Sequence, residues 1–564
     1  MILQFKSLNY NSDFVSHLYL KIHNTHRVKF YLRNIFIFSF LFGILKFNGL
    51  CNQKTNFVLV VTQSHSVHAI GAYKGLLQSA NPTPNLDLIA SQSLLFHKAF
   101  CVNASTGPSS ACLLTGSYSH INRFLNNKDA FDYSVDSLPR TFQNAGYETA
   151  MIGRWDLSTK PKYFNFWDIL LDSSEKYNPE FLSGDKKRKI EGHSTDIITD
   201  IAIQWMARRN KTKPYFLIIQ YNATSQPWMP AIRHLNLFDD KLMPEPNTLR
   251  SKHTGKASPS RYQKMSLSKD LDFKNDLFFF DKQKDSNNTF EDVESLGEKN
   301  FEAMTPEQLS AWSVSWRPKN EAFLREVVSD DDLLSWKYQR FIKNYLRCIR
   351  GIDENIKRIN NAIPSKDSNK TFFIYTANQG RFLGNNGWFG SKWFYETSSQ
   401  IPLIISYDSS NNFSKIEHSL VKNIDITTTI LDYAGLKQLK QNQGTSLRKF
   451  IDYGDNNHTS KNQYIYYHHH EFPSNQMVAK HYGIRTEKFK LIHFYQFDEW
   501  EFYDLMNDPF ETKNLYESQI HSEEILNLKK TLINARKKYN DNTDISIMPD
   551  VWRKSYRGPE ARKK

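Results

Sequence analysis

Cysteine is scarce in this chain: only four of its 564 residues are cysteines. Cys51 follows an N-terminal apolar segment, and the others are Cys101, Cys112 and Cys348. So small and scattered a set excludes a disulfide-rich framework and a cysteine-based metal cluster. One disulfide bridge can still form, and sequence spacing does not choose its partners.

The N-terminal apolar run is too short for an ordinary membrane-spanning helix. It covers 11 residues, Ile35–Leu45, against the roughly 20 that a bilayer requires. Basic residues precede it and small or polar residues follow, which is the order found in a secretory signal peptide. We therefore expect an N-terminal tail over 1–34 and a signal-peptide core or uncleaved membrane anchor over 35–51. This predicts a secretory-pathway protein, extracellular or lysosomal, with 35–45 as the segment that would anchor it.

Acidic residues are outnumbered by basic ones, 59 against 73, which gives a net charge of +14 and a pI of about 9.2. A basic balance favours anionic partners such as acidic glycans, anionic lipid or nucleic acid. Helix-turn-helix, zinc-finger and RNA-binding aromatic signatures are missing, so nucleic acid is not expected. The runs Lys186–Lys189 and Ala561–Lys564 could contact an anionic glycan. Alternatively, they are a solvated loop and a frayed tail.

Short apolar runs alternate with helical patterns along the first three quarters of the chain. Near-continuous runs of this kind suit strands of a parallel sheet that is buried on both faces. We therefore predict an α/β fold, a doubly wound and mostly parallel sheet, with a smaller antiparallel C-terminal subdomain. The predicted strands are Phe57–Val61, Thr149–Gly153, Tyr215–Tyr221, Phe372–Thr376 and Pro402–Ser406.

Composition divides the chain into regions. The α/β domain is expected over 55–430, with a polar surface insertion at about 250–300. The C-terminal subdomain is expected over 431–545, where "HYGIRTEKFKLIHFYQFDEWEFYDL" reads as two β runs joined at "FDE". Residues 546–564 form a basic tail.

Blocks at the carboxyl ends of the predicted strands resemble the sulfatases of the alkaline-phosphatase superfamily. The blocks are "VTQSH", "GPSSACLLTGSYSH", "IGRWDL", "YNATSQPWMP" and "YTANQGRFLGNNGWFGSKWFYE", in family order. "TPNLDLIA", "NAGYETAMIG" and "HYGIRTEKFKLIHFY" are most similar to the subgroup that acts on heparan- or N-acetylglucosamine-type sulfate esters. The resemblance implies the sulfatase fold, a Ca²⁺ site and a formylglycine nucleophile.

The residues that the resemblance places at the reaction centre depart from the family pattern. With Leu114-Thr115-Gly116 as anchor, Thr106 stands at the position of the cysteine that becomes formylglycine, and Ser110 at its arginine. Threonine cannot be converted into an aldehyde, since oxidation of a secondary alcohol gives a ketone. Cys112 lies too late in the turn and is expected to be a small core residue.

The implied metal and sulfate positions have also lost their charged residues. The four metal positions carry Gln63, Ser64, Asn378 and Gln379, all neutral, whereas Ca²⁺ prefers several carboxylates. Among the positions implied to bind sulfate and the leaving oxygen, Arg154 is basic and Asp156 is acidic. These positions are Arg154, Asp156, Asn222, Ser225 and Ser391, with Lys392 beside the last as a candidate substitute. His481 and Arg485 are candidate pocket residues in the C-terminal subdomain.

The backbone-shaping residues around these positions persist while the reactive groups do not. We therefore expect a catalytically inactive sulfatase-like protein without a cofactor, which binds anionic, sulfated glycans. The alternative is an active sulfuric or phosphoric ester hydrolase in which Thr106 attacks directly, a reaction that needs a metal to activate the hydroxyl. The persisting residues are Pro108, Gly116, Gly153, Trp155, Gly380, Gly384 and Pro402.

Sequons for N-linked glycans support entry into the secretory pathway, although some arise by chance in an Asn-rich chain. Two of them fall beside the implied reaction centre, at Asn103 and Asn222, where a glycan would obstruct the pocket mouth. The seven sequons are at Asn103, Asn210, Asn222, Asn287, Asn369, Asn412 and Asn457.

The run His468–Glu471 has the composition of a metal site, yet extended backbone points adjacent side chains to opposite faces. Only His468 and His470 would then converge, which favours an ordinary strand end.

Overall fold

A computed structural model describes residues 54–279, 296–326, 329–368, 370–407, 415–453 and 463–556. The expected tail, signal or anchor segment (1–51) and the sequons at Asn287, Asn369, Asn412 and Asn457 lie outside these ranges, as does the end of the basic tail. Within the described ranges, no helix has the length and apolar character needed to cross a membrane.

The strands form three sheets. They are β1 Asn56–Thr62, β2 Leu94–Phe96, β3 Ala99–Phe100, β4 Glu148–Gly153, β5 Phe166–Leu170, β6 Glu180–Ser183, β7 Lys186–Lys189, β8 Tyr215–Tyr221, β9 Thr371–Ala377, β10 Gln400–Ile401, β11 Leu403–Ser406, β12 Lys415–Glu417, β13 Val421–Lys422, β14 Ile465–His469, β15 His481–Arg485, β16 Phe489–Phe494 and β17 Glu499–Asp504.

The helices are α1 Pro84–Ala90, α2 Thr106–Thr115, α3 Ser119–Asn122, α4 Leu138–Asn144, α5 Ser194–Arg208, α6 Ser258–Arg261, α7 Leu296–Glu302, α8 Pro306–Glu326, α9 Asp330–Ala362, α10 Ser365–Ser368, α11 Glu396–Ser399, α12 Asn423–Tyr433, α13 Arg448–Tyr453, α14 Ser522–Lys538 and α15 Asp550–Tyr556.

The large sheet has ten strands in the order β12-β2-β11-β9-β1-β8-β4-β5-β6-β7. Its centre, β9-β1-β8-β4-β5, is parallel, and β11 is antiparallel to β9. Successive residues of β1 enter different cores: Phe57, Leu59 and Val61 pack on one face, Val58 and Val60 on the other. Burial on both faces explains the continuous apolar runs and confirms the predicted α/β architecture.

Helices cover both faces of this sheet. On one face α5 and α9 pack together, with α1 beside them, through residues such as Ile198, Trp205 and Ile356. On the other face lie α2, α4 and α12, with Leu113, Phe142 and Ile430 in the core. Helix α9 begins at a Ser329 cap, whose Oγ accepts a hydrogen bond from the Asp332 amide at 3.1 Å.

The C-terminal sheet is antiparallel, in the order β14-β15-β16-β17, and α14 packs against it. The stretch read as two β runs contains three strands, β15, β16 and β17, because a turn after Arg485 divides the first run. Charged side chains join this sheet to the rest of the protein: Glu396 of α11 pairs with Arg485 at 3.0 Å and with Lys490 at 2.7 Å.

Candidate functional site

The turn at Thr106 is held rigidly at the start of α2. Every residue of this helix is buried, and Gly116, with a φ of 64°, ends it in the left-handed conformation. Ser109 Oγ donates to the Asn378 carbonyl oxygen at 2.5 Å, which ties the helix to the end of β9. Cys112 is fully buried next to Ser119, 3.5 Å from its Oγ, and is a core residue as expected.

Neighbouring parallel strands bring most of the predicted site residues to one edge of the sheet. Gln63 and Ser64 follow β1, Arg154 to Asp156 follow β4, Asn222 follows β8, and Asn378 and Gln379 follow β9. At the end of β4, Gly153 has a φ of 102°, and a Cβ there would lie 2.2 Å from the Gln220 carbonyl oxygen. Glycine is therefore required for β4 to approach β8 at the site.

Thr106 lies at the end of a hydrogen-bonded chain. Gln63 Nε2 donates to Thr106 Oγ1 at 3.3 Å, and the Arg154 guanidinium donates to Gln63 Oε1. Arg154 Nε also donates to Asp156 at 2.5 Å, and Gln220 donates to the second oxygen of Asp156 at 2.6 Å. The hydroxyl of Thr106 thus accepts a bond from an amide. Within the described ranges it has no hydrogen bond to a carboxylate or imidazole that could remove its proton.

Three of the four metal positions, Ser64, Asn378 and Gln379, form a network of neutral groups. Asn378 Oδ1 accepts from the Ser64 amide at 3.3 Å, and Gln379 Nε2 contacts the hydroxyls of Ser64 and Ser391 at 3.0 and 3.1 Å. Asn378 Nδ2 and Gln379 Oε1 are buried and have no partner in the described part of the chain.

This donor set does not fit a divalent cation. Ca²⁺ sites use carboxylate and carbonyl oxygens, whereas here two of the amide oxygens already accept protein hydrogen bonds. The guanidinium of Arg154 contacts the first of the four residues directly, so a fixed positive charge stands beside the position implied for the metal. Among the described residues, no group of three or more His, Cys, Asp and Glu side chains is arranged to hold a metal.

Lys392 does not offer a free ammonium to the site. Its Nζ lies 3.6 Å from Glu471 Oε2, and burial lowers its pKa. The same carboxylate oxygen accepts from Ser105 Oγ at 3.4 Å and from Asn127 Nδ2 at 3.3 Å, beside the Thr106 turn. Glu471 therefore neutralises Lys392, as Asp156 neutralises Arg154.

Lys176 is a buried cation that sequence reasoning missed. It belongs to the loop between β5 and β6 and donates from Nζ to Ser225 Oγ at 2.8 Å, the Asn222 carbonyl at 2.9 Å and the Ser173 carbonyl at 3.1 Å. Burial lowers its pKa to about 7. A single lysine in a polar loop matches no motif, so the sequence does not mark Lys176 as a site residue. Glu471, in contrast, belongs to the histidine run His468–Glu471.

Both sequons at the site are buried. Asn222 Nδ2 donates to the carbonyls of Ser173 and Glu175 at 2.9 and 3.1 Å. Asn103 Nδ2 donates to Ser119 Oγ at 3.1 Å, and its side chain is fully enclosed. The idea that a glycan obstructs the pocket therefore does not hold for the folded protein, because neither amide nitrogen is accessible.

The C-terminal candidates bond to the segment that follows Lys392. His481 Nε2 accepts from the Phe394 amide at 3.1 Å, and Arg485 pairs with Glu396. In the histidine run, His468 and His470 do converge, with ring centroids 3.7 Å apart, and His468 Nδ1 lies 2.6 Å from Asp541.

Two family models match this chain. The family model described as Sulfatase matches residues 55–436, more than half of the chain. This chain is a member of the sulfatase family. A second model, described as N-sulphoglucosamine sulphohydrolase, C-terminal, matches residues 384–538 of this sulfatase-family chain.

Among curated proteins, it is 34% identical over 495 residues to the N-acetylglucosamine-6-O-sulfatase of Bacteroides thetaiotaomicron, covering 87% of this chain and 88% of that protein. The human N-acetylglucosamine-6-sulfatase is 23% identical over 389 residues, 64% of this chain and 59% of that protein.

A solved structure of a sulfatase-fold protein with its substrate, D-glucosamine-2-N,6-O-disulfate, superposes with a TM-score of 0.82 and 34% identity, over 87% of this chain and 99% of that chain. Such overall similarity favours the alternative expectation, an active hydrolase, over loss of activity.

Proposed function

We propose that this protein is a sulfatase-family member that binds sulfated glycans without hydrolysing them and without a resident metal. The observation that carries the proposal is the environment of Thr106, a hydroxyl held by the Gln63 amide, with Arg154 and Lys392 each paired to a carboxylate. Sulfate ester cleavage needs an activated nucleophile and electrostatic stabilisation of developing charge. Neutral amides in place of metal-binding carboxylates supply neither.

The basic edge strand β7 is the candidate glycan surface. Its four residues, Lys186–Lys189, are exposed, and among the described strands β7 pairs with β6 alone, at the end of the sheet. Arg188 pairs with the buried Asp168, whereas Lys187 and Lys189 project together on the opposite face. The named relatives act on sulfated sugars, which supports an anionic glycan as the partner.

Heparin retention tests this surface. We expect binding that weakens with rising salt, as it does for contacts between lysines and a polyanion, and that falls in the K187A/K189A variant. The matched control is K437A/K440A, which removes two exposed lysines from another surface. Equal retention of both variants, or elution below physiological salt, would overturn the proposal.

Hydrolysis by Thr106 is the second candidate, and the 34% identity to a curated sulfatase is the observation that favours it. The discriminating experiment compares purified wild type with Thr106→Ala on aryl sulfate, aryl phosphate and N-acetylglucosamine-6-sulfate, with and without Ca²⁺. We expect no turnover that depends on Thr106. Turnover abolished by the substitution would establish the hydrolase instead.

We also propose entry into the secretory pathway, with residues 35–51 as the signal or anchor. Expression in a secreting cell, followed by N-terminal sequencing, tests this: cleavage near 51 identifies a signal peptide, and an intact, membrane-bound chain identifies an anchor. A cytosolic chain would contradict it.

A further inference from the structure

A cavity of about 400 Å³ lies beside β2 and β12, the last two strands of the large sheet, on the face that α1 covers. In the strand order, β2 and β11 separate β12 from β9, and none of the described residues assigned to the Thr106 site lines the cavity. Its volume falls within the range of small-molecule sites, roughly 300 to 1,000 Å³. The cavity is therefore a candidate binding site apart from the Thr106 centre.

The strand side of the cavity is apolar. Leu95 of β2 and Ile416 of β12 are paired in register, so their side chains point to the same face of the sheet. Ala90 of α1 also lines the cavity and, like Leu95, is buried. Ile416 is 44% exposed. A ligand that covers it removes apolar surface from water, which favours a ligand with an apolar part.

Asp87 of α1 adds a carboxylate to the lining. Its Oδ1 accepts from the Ala72 amide at 2.8 Å and from the Thr83 hydroxyl at 3.0 Å. Within the described ranges its Oδ2 accepts no hydrogen bond and Asp87 has no ion pair, and burial raises the pKa of the carboxyl. Gly71 leaves room for this oxygen, because a Cβ there would lie 2.2 Å from Oδ2. The carboxylate is thus held in place with one oxygen open.

Lys74 supplies the opposite charge. It follows the 3₁₀ turn Gly71–Tyr73 with a φ of 56°, and its amide donates to the Gly71 carbonyl at 2.9 Å. Its side chain is exposed and forms no ion pair with any described residue. The other lysine of the lining, Lys415, is already paired with Glu417 at 3.5 Å. The cavity therefore offers one open carboxylate and one open ammonium group that do not pair with each other.

We infer that this cavity binds a free α-amino acid with an apolar side chain. The ammonium group of the ligand bonds to Asp87, its carboxylate pairs with Lys74, and its side chain covers Ile416. A neutral ligand leaves the Asp87 oxygen without a donor, and a purely anionic ligand is repelled by it. Lys74 is solvated without a ligand, so its contact is the weaker of the two. The site lies outside the proposed function and does not depend on it.

Three ligands, measured by calorimetry on the unaltered protein, separate these contacts. They are L-leucine, N-acetyl-L-leucine, which lacks the ammonium group, and L-leucinamide, which lacks the carboxylate. We expect leucine to bind saturably, the N-acetyl compound to bind at least about tenfold more weakly, and the amide about threefold more weakly. No saturable binding of leucine at millimolar concentration would refute the inference, as would N-acetyl-leucine that binds as tightly as leucine.

Two variants assign the contacts to residues. Asp87→Asn keeps an oxygen for the Ala72 and Thr83 donors but removes the charge, so we expect at least about tenfold weaker binding of leucine. Lys74→Met should weaken leucine about threefold and leave leucinamide unchanged. Lys437→Met, at another exposed site, is the matched control and should bind leucine as wild type does.

Wild-type affinity in Asp87→Asn, or an equal loss in the two lysine variants, would contradict the assignment. If Asp87→Asn does not fold, the ligand series on the unaltered protein and the exposed Lys74→Met change still decide the question.

Discussion

Arg154 connects the two halves of the altered site. Its side chain and that of Asp156 are only 12% and 8% exposed, so each depends on the other for charge compensation. Arg154→Met would remove the cation that compensates Asp156, which keeps its bond from Gln220, and would remove the donor to the Gln63 oxygen. We expect a loss of about 3 kcal/mol in the free energy of unfolding, measured in urea.

The double variant R154M/D156L is the control, because removing both charges avoids the unpaired carboxylate and should recover part of the loss. A single variant as stable as wild type would show that the pair contributes nothing.

Asn210 is the sequon that the described structure leaves available. It is exposed beyond the end of α5, and its Oδ1 accepts from the Thr212 amide and hydroxyl at 2.9 and 2.7 Å, bonds that do not use the amide nitrogen. In protein secreted from eukaryotic cells we expect a glycan at Asn210 and none at Asn103 or Asn222. Peptide mapping after glycosidase treatment in ¹⁸O-labelled water checks this, and an occupied Asn222 would contradict the buried geometry.

Residue positions at the site could be predicted from motif spacing because strand ends and turns fix them. Gln63 contacts Thr106, and Asn378 contacts Ser64 and Ser109, at the same edge of the sheet. The partners of the surviving cations could not be predicted. Glu471 pairs with Lys392 although 79 positions of sequence separate them. Arg154 donates to Gln63, a contact between the ends of two different strands.

At the scale of elements, buried strands and a mostly parallel sheet were predictable, whereas the direction of one particular strand was not. Tyr215–Tyr221 matches β8 from end to end, because burial on both faces leaves an uninterrupted apolar run. The run at 402–406 is equally apolar, yet β11 lies antiparallel to β9. One expectation for Lys186–Lys189 is a solvated loop. The structure has an exposed edge strand there instead. A run of charged residues is compatible with a strand at the edge of a sheet.

The end of β14 should make the protein sensitive to acid. His468, His469 and His470 are buried, and burial lowers the pKa of each imidazole below its usual 6.5. His120 and Asp541 lie beside the first and third of these rings: the carboxylate favours protonation of both, His120 opposes it, and Arg536 opposes it at His468. Burial is the largest effect, so the pKa of both rings stays lowered.

Because the unfolded chain binds these protons more readily, stability is greatest above about pH 6.5 and falls as the pH decreases toward 5. Each imidazole that stays neutral contributes about 1.4 kcal/mol per pH unit. Urea unfolding at pH 7.5, 6 and 5 measures the slope. His470→Gln should reduce it, whereas His418→Gln, at an exposed site, should not. A pH-independent midpoint would contradict this account.

For the molecule as a whole, the neutral metal positions predict folding that is independent of divalent cations. Ligands that bind only the folded state raise the melting temperature, and their removal lowers it. We expect millimolar EDTA or CaCl₂ to change the melting temperature by less than about 1 °C. A chelator-dependent fall would show that Gln63, Ser64, Asn378 and Gln379 hold a metal after all.

The separate antiparallel sheet could be anticipated because the character of the sequence changes after about residue 430 and β runs follow. The boundary itself is less sharp, since α12 spans Asn423–Tyr433 and packs on α2 beside the site. The site thus depends on packing that runs across the predicted boundary. Short-range composition does not reveal such contacts.

The lysines of β7 have a consequence for solubility. A strand at the end of a sheet offers unpaired backbone groups to any other chain, and closely spaced positive charges keep a second copy away. When a polyanion or high salt neutralises Lys187 and Lys189, that repulsion weakens and two β7 strands can pair edge to edge. Self-association should therefore rise with heparin concentration, then fall when excess heparin separates the copies, a bell-shaped curve that light scattering would record.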